Sequence, residues 1–162
     1  MAKSRKPRKI EGLKWAAIAP RNPFPGPKKL SGSAAAGIAF QNKLGRYLAR
    51  QIDLRRLEGK LYSDLWIMFK DRNGEGFAQP DHFLLQPTRI VLIECKLTQN
   101  DAAWPQLYGL YKPLVEHLFK RPAICVQAFR RMRVEEPDRP KISIYSEAGL
   151  DFKDGAIWPF FL

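Results

Sequence analysis

The stretch AQPDHFLLQPTRIVLIECKLT, residues 78–98, constrains this chain more than any other. Two apolar, strand-like runs flank Gln86-Pro87-Thr88-Arg89, and proline suits the second position of the type I turns on which four-residue hairpin loops are often built. A turn there pairs Leu85 with Ile90 and, continued outward, sets Asp81 opposite Glu94. Directly opposed side chains share a face, with Cβ atoms about 4.5–5.5 Å apart. Lys96, two places beyond Glu94, falls on that face too, whereas His82 and Cys95 point the other way. Ionisable groups among apolar strands are costly unless paired or bound to a cation.

Two opposed carboxylates repel, and without a counter-charge one is driven toward protonation. A hard divalent cation removes the conflict. Mg²⁺ accepts one or two carboxylates, keeps several waters and takes a further ligand from a substrate phosphate. An ammonium beside it orients a water and neutralises charge on the phosphate. The spacing of Asp81, Glu94 and Lys96 therefore points to phosphodiester hydrolysis; the competing reading is a structural ion-pair cluster.

Around the hairpin, SGSAAAGIAFQNKLGRYLARQID reads as a helix capped by Ser31 or Ser33, with Ile38, Phe40, Leu44, Tyr47, Leu48 and Ile52 on its apolar face. KLYSDLWIMFKD reads as one strand ending at the loop RNGEG, followed by strands 80–85 and 89–97. Trp104, Leu107, Tyr111, Leu114 and Leu118 mark one face of a second helix, capped by Asn100 or Asp101 and kinked or divided at Pro113. PAICVQAF and KISIYS are two further strands. The expected fold is α/β, a mixed sheet flanked by helices in the order α-β-β-β-α-β-β, in one domain over residues 31–162.

Residues 1–30 carry nine Lys and Arg against one Glu, so most of the net charge of +12 lies in a leading arm. Pro7, Pro20, Pro23, Pro25 and Pro27 exclude a long helix there, and the arm is expected to be mobile, with Lys3, Arg5, Lys6, Arg8 and Lys9 gripping phosphates without reading sequence. A solubilising terminus is the alternative. Arg130, Arg131 and Arg133 either track a phosphate backbone or form a solvated strand end. No apolar run approaches membrane-spanning length, nothing near the N-terminus resembles a secretory core, and Cys95 and Cys125 read as small buried thiols. These features point to the cytoplasm, no membrane and a polyanionic partner. The tail IWPFFL is expected to cover the sheet, with a homodimer contact as its alternative use. His82 and His117 lack zinc-ligand spacing and are expected to serve packing or surface roles.

Pro80-Asp81, followed one hairpin later by Glu94-Cys95-Lys96, resembles the PD-(D/E)XK nuclease superfamily, and the expected helix–three strands–helix–strand order over residues 34–130 is similar to its restriction-endonuclease-like core. The resemblance implies a nuclease acting on DNA, with Mg²⁺ or Mn²⁺ held by Asp81, Glu94 and the Cys95 backbone carbonyl, and Lys96 positioning the water. Members often add a glutamate from the first helix; here that segment offers Gln41, with Glu58 and Asp64 as nearby substitutes. Some exonuclease-like branches carry Gln-x-x-x-Tyr on the second helix. This chain has Gln106 but Leu110 at the tyrosine position, and Tyr111 is expected to turn about 100° away. Gln106 is expected to contact phosphate or support the site, or else to be a plain helix glutamine, with Tyr111 in the core and endonucleolytic action favoured. Small nucleases of this kind occur in phages and mobile elements, where the location becomes the host cytoplasm. A rival reading is an inactive nucleic-acid-binding or architectural protein on a nuclease-derived fold, and a third is an assembly component.

Overall fold

The pairing that the Pro87 turn dictates forms the centre of the molecule. In the computed structural model, which describes residues 8–26, 31–132, 139–142 and 150–161, strand β5 (His82–Leu85) runs antiparallel to β6 (Ile90–Thr98), with Leu85 opposite Ile90 and His82 opposite Ile93. The five-stranded sheet has the order β2-β5-β6-β7-β8, where β2 is Lys60–Ser63, β7 Ala123–Arg131 and β8 Ala156–Pro159. β2, β5 and β6 are antiparallel, and β7 and β8 add in parallel. Helices cover both faces, so the fold is mixed α/β.

Helix α1 (Gly32–Asp53) lies on one face. Phe40, Leu44 and Leu48 recur one turn apart and bury against Val91, Ile93, Val126 and Trp158. Ile38, expected on this stripe, is exposed. Ser31 occupies the N-cap position without a side-chain cap bond. On the other face lie α2 (Ala103–Gln106), a π-helical turn (Leu107–Tyr111) and α3 (Lys112–Phe119), which press Trp104, Leu107, Tyr111 and Leu114 onto Phe83, Leu92 and Phe129. Pro113 falls in the first turn of α3, where its missing N–H is tolerated. The strand that follows β7 in the sheet is β8, at its edge, and not the expected strand KISIYS. Of that segment only Lys141, in a single bridge to Ile157, and Ile142 are described. The aromatic tail, expected to cover the sheet, instead extends it as β8; Trp158 and Phe160 are buried and Phe161 is exposed.

KLYSDLWIMFKD is not one strand. It divides between β2 and β3 (Ile67–Asp71), which belong to different sheets. Asp64 marks the break with a positive φ of 56°, a conformation that aspartate tolerates better than most residues. β3 pairs with β4 (Gly74–Ala78) through the expected loop at Asn73, and with β1 (Trp15–Ile18), giving a three-stranded sheet of order β1-β3-β4.

β1 changes the picture of the basic arm. Residues 8–26, expected as part of a mobile tail, are built into the fold, because alternate residues of Trp15–Ile18 complete a ladder that β3 would otherwise expose. Ile10, Leu13 and Ala16 pack on the main core, and the Ile10 amide donates to the Gly109 carbonyl of the π turn at 2.8 Å. Lys3, Arg5 and Lys6 lie outside the described residues. Arg8 is not free for phosphate: its guanidinium donates to buried Asp71 at 2.8 Å and to the Gly74 and Glu75 carbonyls. Burial alone would raise the Asp71 carboxyl, but the Glu11 amide, the Arg8 side chain and the Asn73 amide outweigh it and hold the group below its ordinary value. Arg8→Ala is expected to destabilise the fold by about 2 kcal/mol, since it strips a partner from a buried acceptor. A depressed carboxyl contributes stability above its unfolded pKa of about 3.9 and loses it as pH falls through the folded value. The gap between parent and variant in urea unfolding should therefore narrow toward pH 3; a pH-independent gap would show that packing alone explains it.

Candidate active site

Asp81 ends the turn that leads into β5, and Glu94 and Lys96 lie on the face of β6 that looks toward α2 and α3. The register extends to them as the hairpin requires. The Asp81 Oδ2 accepts the Cys95 amide at 2.8 Å, which clamps its carboxylate across the strand gap. Lys96 Nζ reaches Glu94 Oε1 at 3.1 Å. All three side chains interact electrostatically, so the structure brings together the set that the sequence singled out. His82 and Cys95 point to the opposite face, as the alternation demands.

The cluster is poorly satisfied by protein alone. Glu94 is 4% exposed and its Oε2 has no hydrogen-bond partner. Burial, and then the charge of Asp81, push its carboxyl well up. Burial also raises Asp81, against the pull of the Cys95 amide and Lys96. Lys96 keeps 29% of its side chain in solvent, so its ammonium is reachable by a substrate. Burial and the same two carboxylates raise the Cys95 thiol far above its ordinary value, so it is not a thiolate nucleophile. Cys125 is likewise pushed up, to about 12, by burial and Asp154. Both thiols are free.

An acidic pair with an orphaned, buried oxygen fits a hard cation. Among the described residues no group of three or more His, Cys, Asp or Glu side chains is arranged to hold a metal. Mg²⁺ does not need one, since two carboxylates plus waters and substrate oxygens complete its octahedron.

Gln41 approaches the cluster from α1 but does not join Asp81 and Glu94. Its amide donates to Asp64 Oδ1 at 2.5 Å. Asp64 is exposed just past the end of β2, and its amide donates to the Asp81 carbonyl at 3.1 Å. Of the two substitute acids, Asp64 is therefore beside the site, while Glu58 lies at the far end of the hairpin, where its carbonyl accepts from Gln86. His82 has a packing role: Nε2 donates to the Gln41 carbonyl at 2.8 Å, so Nδ1 accepts the Ser63 hydroxyl at 2.7 Å. Burial lowers its pKa, which keeps the ring neutral. A Cβ at Gly45 would stand 2.8 Å from the His82 ring, so only glycine lets α1 sit this close.

The second helix departs from expectation. Gln106 and Tyr111 are five apart, and an α-helix would turn them away from each other. The π turn wraps one extra residue, and Gln106 Nε2 donates to the Tyr111 hydroxyl at 2.6 Å. Tyr111 is buried, and its hydroxyl is held protonated by burial and by the negative charge of Glu94 and Asp81, which places it next to the acidic pair. Gln127 was not singled out. It lies beside Glu94 in the parallel register, fully buried, with Oε1 accepting the Asn100 amide and Nε2 unpartnered. A glutamine amid PAICVQAF was the available signal. Arg131 extends the same face beyond Thr98, whereas Arg130 lies by α1 with Lys43; both are exposed, and Arg133 lies outside the described residues.

Comparison with known proteins finds no matching family model, no matching curated protein and no matching solved structure. The functional reading stands on the geometry of these residues.

Proposed function

We propose that this protein is a Mg²⁺-dependent (or Mn²⁺-dependent) nuclease that hydrolyses phosphodiester bonds in DNA. The observation that carries the reading is the buried Glu94 carboxylate, one oxygen unpartnered, beside Asp81 and Lys96. The order α1, then antiparallel β2, β5 and β6, with β3 and β4 inserted between β2 and β5, then the helix and the parallel β7 supports the restriction-endonuclease-like likeness.

Asp81, Glu94 and the Cys95 carbonyl would hold the cation. When bound, it supplies positive charge to the scissile phosphate and acidifies a water. Lys96 then has two tasks for which a partly exposed side chain suits it: aligning the attacking water and stabilising charge on the phosphoryl oxygens. Asp81 is pre-oriented by the Cys95 amide, and so needs no reorganisation as charge develops. Tyr111 and Gln106 line the same side, and the amide and hydroxyl give hydrogen-bond donors to phosphate. Because the π turn aligns them, the helix does not favour endonucleolytic over exonucleolytic action; closed circular and linear substrates separate the two. Metal-dependent cleavage of plasmid DNA, with EDTA and Lys96→Ala controls, tests the reading.

The segment 1–7 contributes Lys3, Arg5 and Lys6 to non-specific affinity, and it is the part of the arm that can be removed without taking out β1. Its deletion is expected to weaken DNA binding and flatten the salt dependence by a slope of about 0.9 per lost phosphate contact. An unchanged slope in a salt titration assigns this segment no role in binding.

A further inference from the structure

The three-stranded sheet turns an aromatic face outward. In β3, Ile67, Phe69 and Asp71 are buried, so Met68 and Lys70 look out. The ladders set Trp15 opposite Lys70 and Phe77 opposite Met68 on that outer face. Phe24 packs edge-on against Trp66 at 5.4 Å and against Phe77 at 5.6 Å. Phe24 is nevertheless 53% exposed and Phe77 46%. Aromatic rings grouped at a surface mark a binding site more often than single exposed apolar residues do.

Phe24 is held in place rather than left loose. Pro23 and Pro25 flank it, its amide donates to Asn22 Oδ1 at 2.8 Å, and Ala19 donates to the Trp66 carbonyl at 2.9 Å. The group also adjoins the acidic site. Trp66 follows Asp64 by two residues and Phe77 precedes Gln79 by two, about 7 Å of extended chain in each case. Gln79 Nε2 donates to the Asp64 carbonyl, and the Asp64 amide donates to that of Asp81. On the outer face Lys70 stands between Trp15 and Glu75 in the ladders, and the chain as a whole carries a net charge of +12. Exposed rings on a strongly basic chain complement a phosphate backbone carrying unstacked bases; in a duplex the ring faces of the bases are already occupied by their neighbours.

We propose that Phe24, Trp66 and Phe77 form a stacking platform for unpaired bases of DNA, beside the Asp81–Glu94–Lys96 site. This rests on the nuclease reading for what happens to the strand, and names its substrate class: DNA with single-stranded segments.

Fluorescence anisotropy with a labelled oligo(dT) of about 15 nucleotides and a blunt hairpin duplex, in EDTA so that nothing is cut, tests it. The Phe24→Ala, Phe77→Ala double variant is expected to bind the single strand about tenfold more weakly, with duplex affinity little changed and Phe24→Tyr close to the parent. Unchanged single-strand affinity overturns the proposal. So does an equal loss on both substrates, or sedimentation showing a parental dimer that the double variant breaks, since the rings would then serve a second copy. If the double variant does not fold, quenching of the parental tryptophan fluorescence by oligo(dT), diminished in Trp66→Phe, reads the same contact, and absence of quenching overturns it. A protein that binds in this way but cleaves nothing refutes the nuclease reading and leaves the platform standing; a cleaving protein with unchanged binding refutes only the platform.

Discussion

Lys96→Ala and Asp81→Ala are each expected to lower metal-dependent DNA cleavage by at least about 10²- to 10³-fold, the range for removing one pre-positioned charge from a developing transition state. Binding of DNA should persist in both, because the basic residues that supply affinity lie elsewhere on the chain. The two variants fail for different reasons. Asp81 is clamped by the Cys95 amide on the hairpin, so its loss removes half of the acidic pair. Lys96 leaves that pair intact and removes the ammonium that pairs with Glu94 Oε1. Plasmid nicking read on gels, with anisotropy for binding, distinguishes loss of chemistry from loss of affinity. Full activity in EDTA, or a Lys96→Ala protein within a few-fold of the parent, would sink the mechanism.

Glu94→Gln should reverse sign with metal. In metal-free protein at neutral pH, a buried carboxylate with an unpartnered oxygen beside Asp81 is a liability, and the neutral amide is expected to stabilise the fold by about 1 kcal/mol or more. The parent should then gain about 2.7 kcal/mol at Mg²⁺ a hundredfold above its dissociation constant, and the variant almost nothing. At roughly 2–4 °C per kcal/mol for a chain of this size, the order of melting temperatures inverts on adding Mg²⁺ or Mn²⁺. Thermal melts with and without the ion need no substrate. If both proteins respond to metal alike, Glu94 is not a ligand. Metal-linked stabilisation without any cleavage would favour the rival reading of an inactive nucleic-acid-binding protein on a nuclease-derived fold.

What could be read in advance followed local rules. The hairpin register depended on one proline turn and a period of two, and both are properties of adjacent residues. The apolar spacings placed α1 and the second helix because each is long enough for its stripe to be unambiguous. Other features were hidden for stated reasons. The break at Asp64 is invisible in KLYSDLWIMFKD because both halves favour strands, and only their separate sheets require a left-handed residue between them. β1 was concealed by prolines and charges, since its ladder is completed by β3 and not by its own composition. A regular helix would turn Tyr111 away from Gln106, and the extra residue of the π turn undoes that geometry.

The sequence by itself therefore determined which charged groups meet: Asp81, Glu94 and Lys96 are forced together by a turn and by strand alternation over sixteen consecutive positions, 81–96. Only the tertiary structure decided what surrounds them. Burial of Glu94, the approach of Tyr111 and Gln127, the placing of Asp64 against Asp81 and the aromatic face nearby all depend on contacts between distant segments, whose pairing is set by packing of the whole core and not by any local pattern.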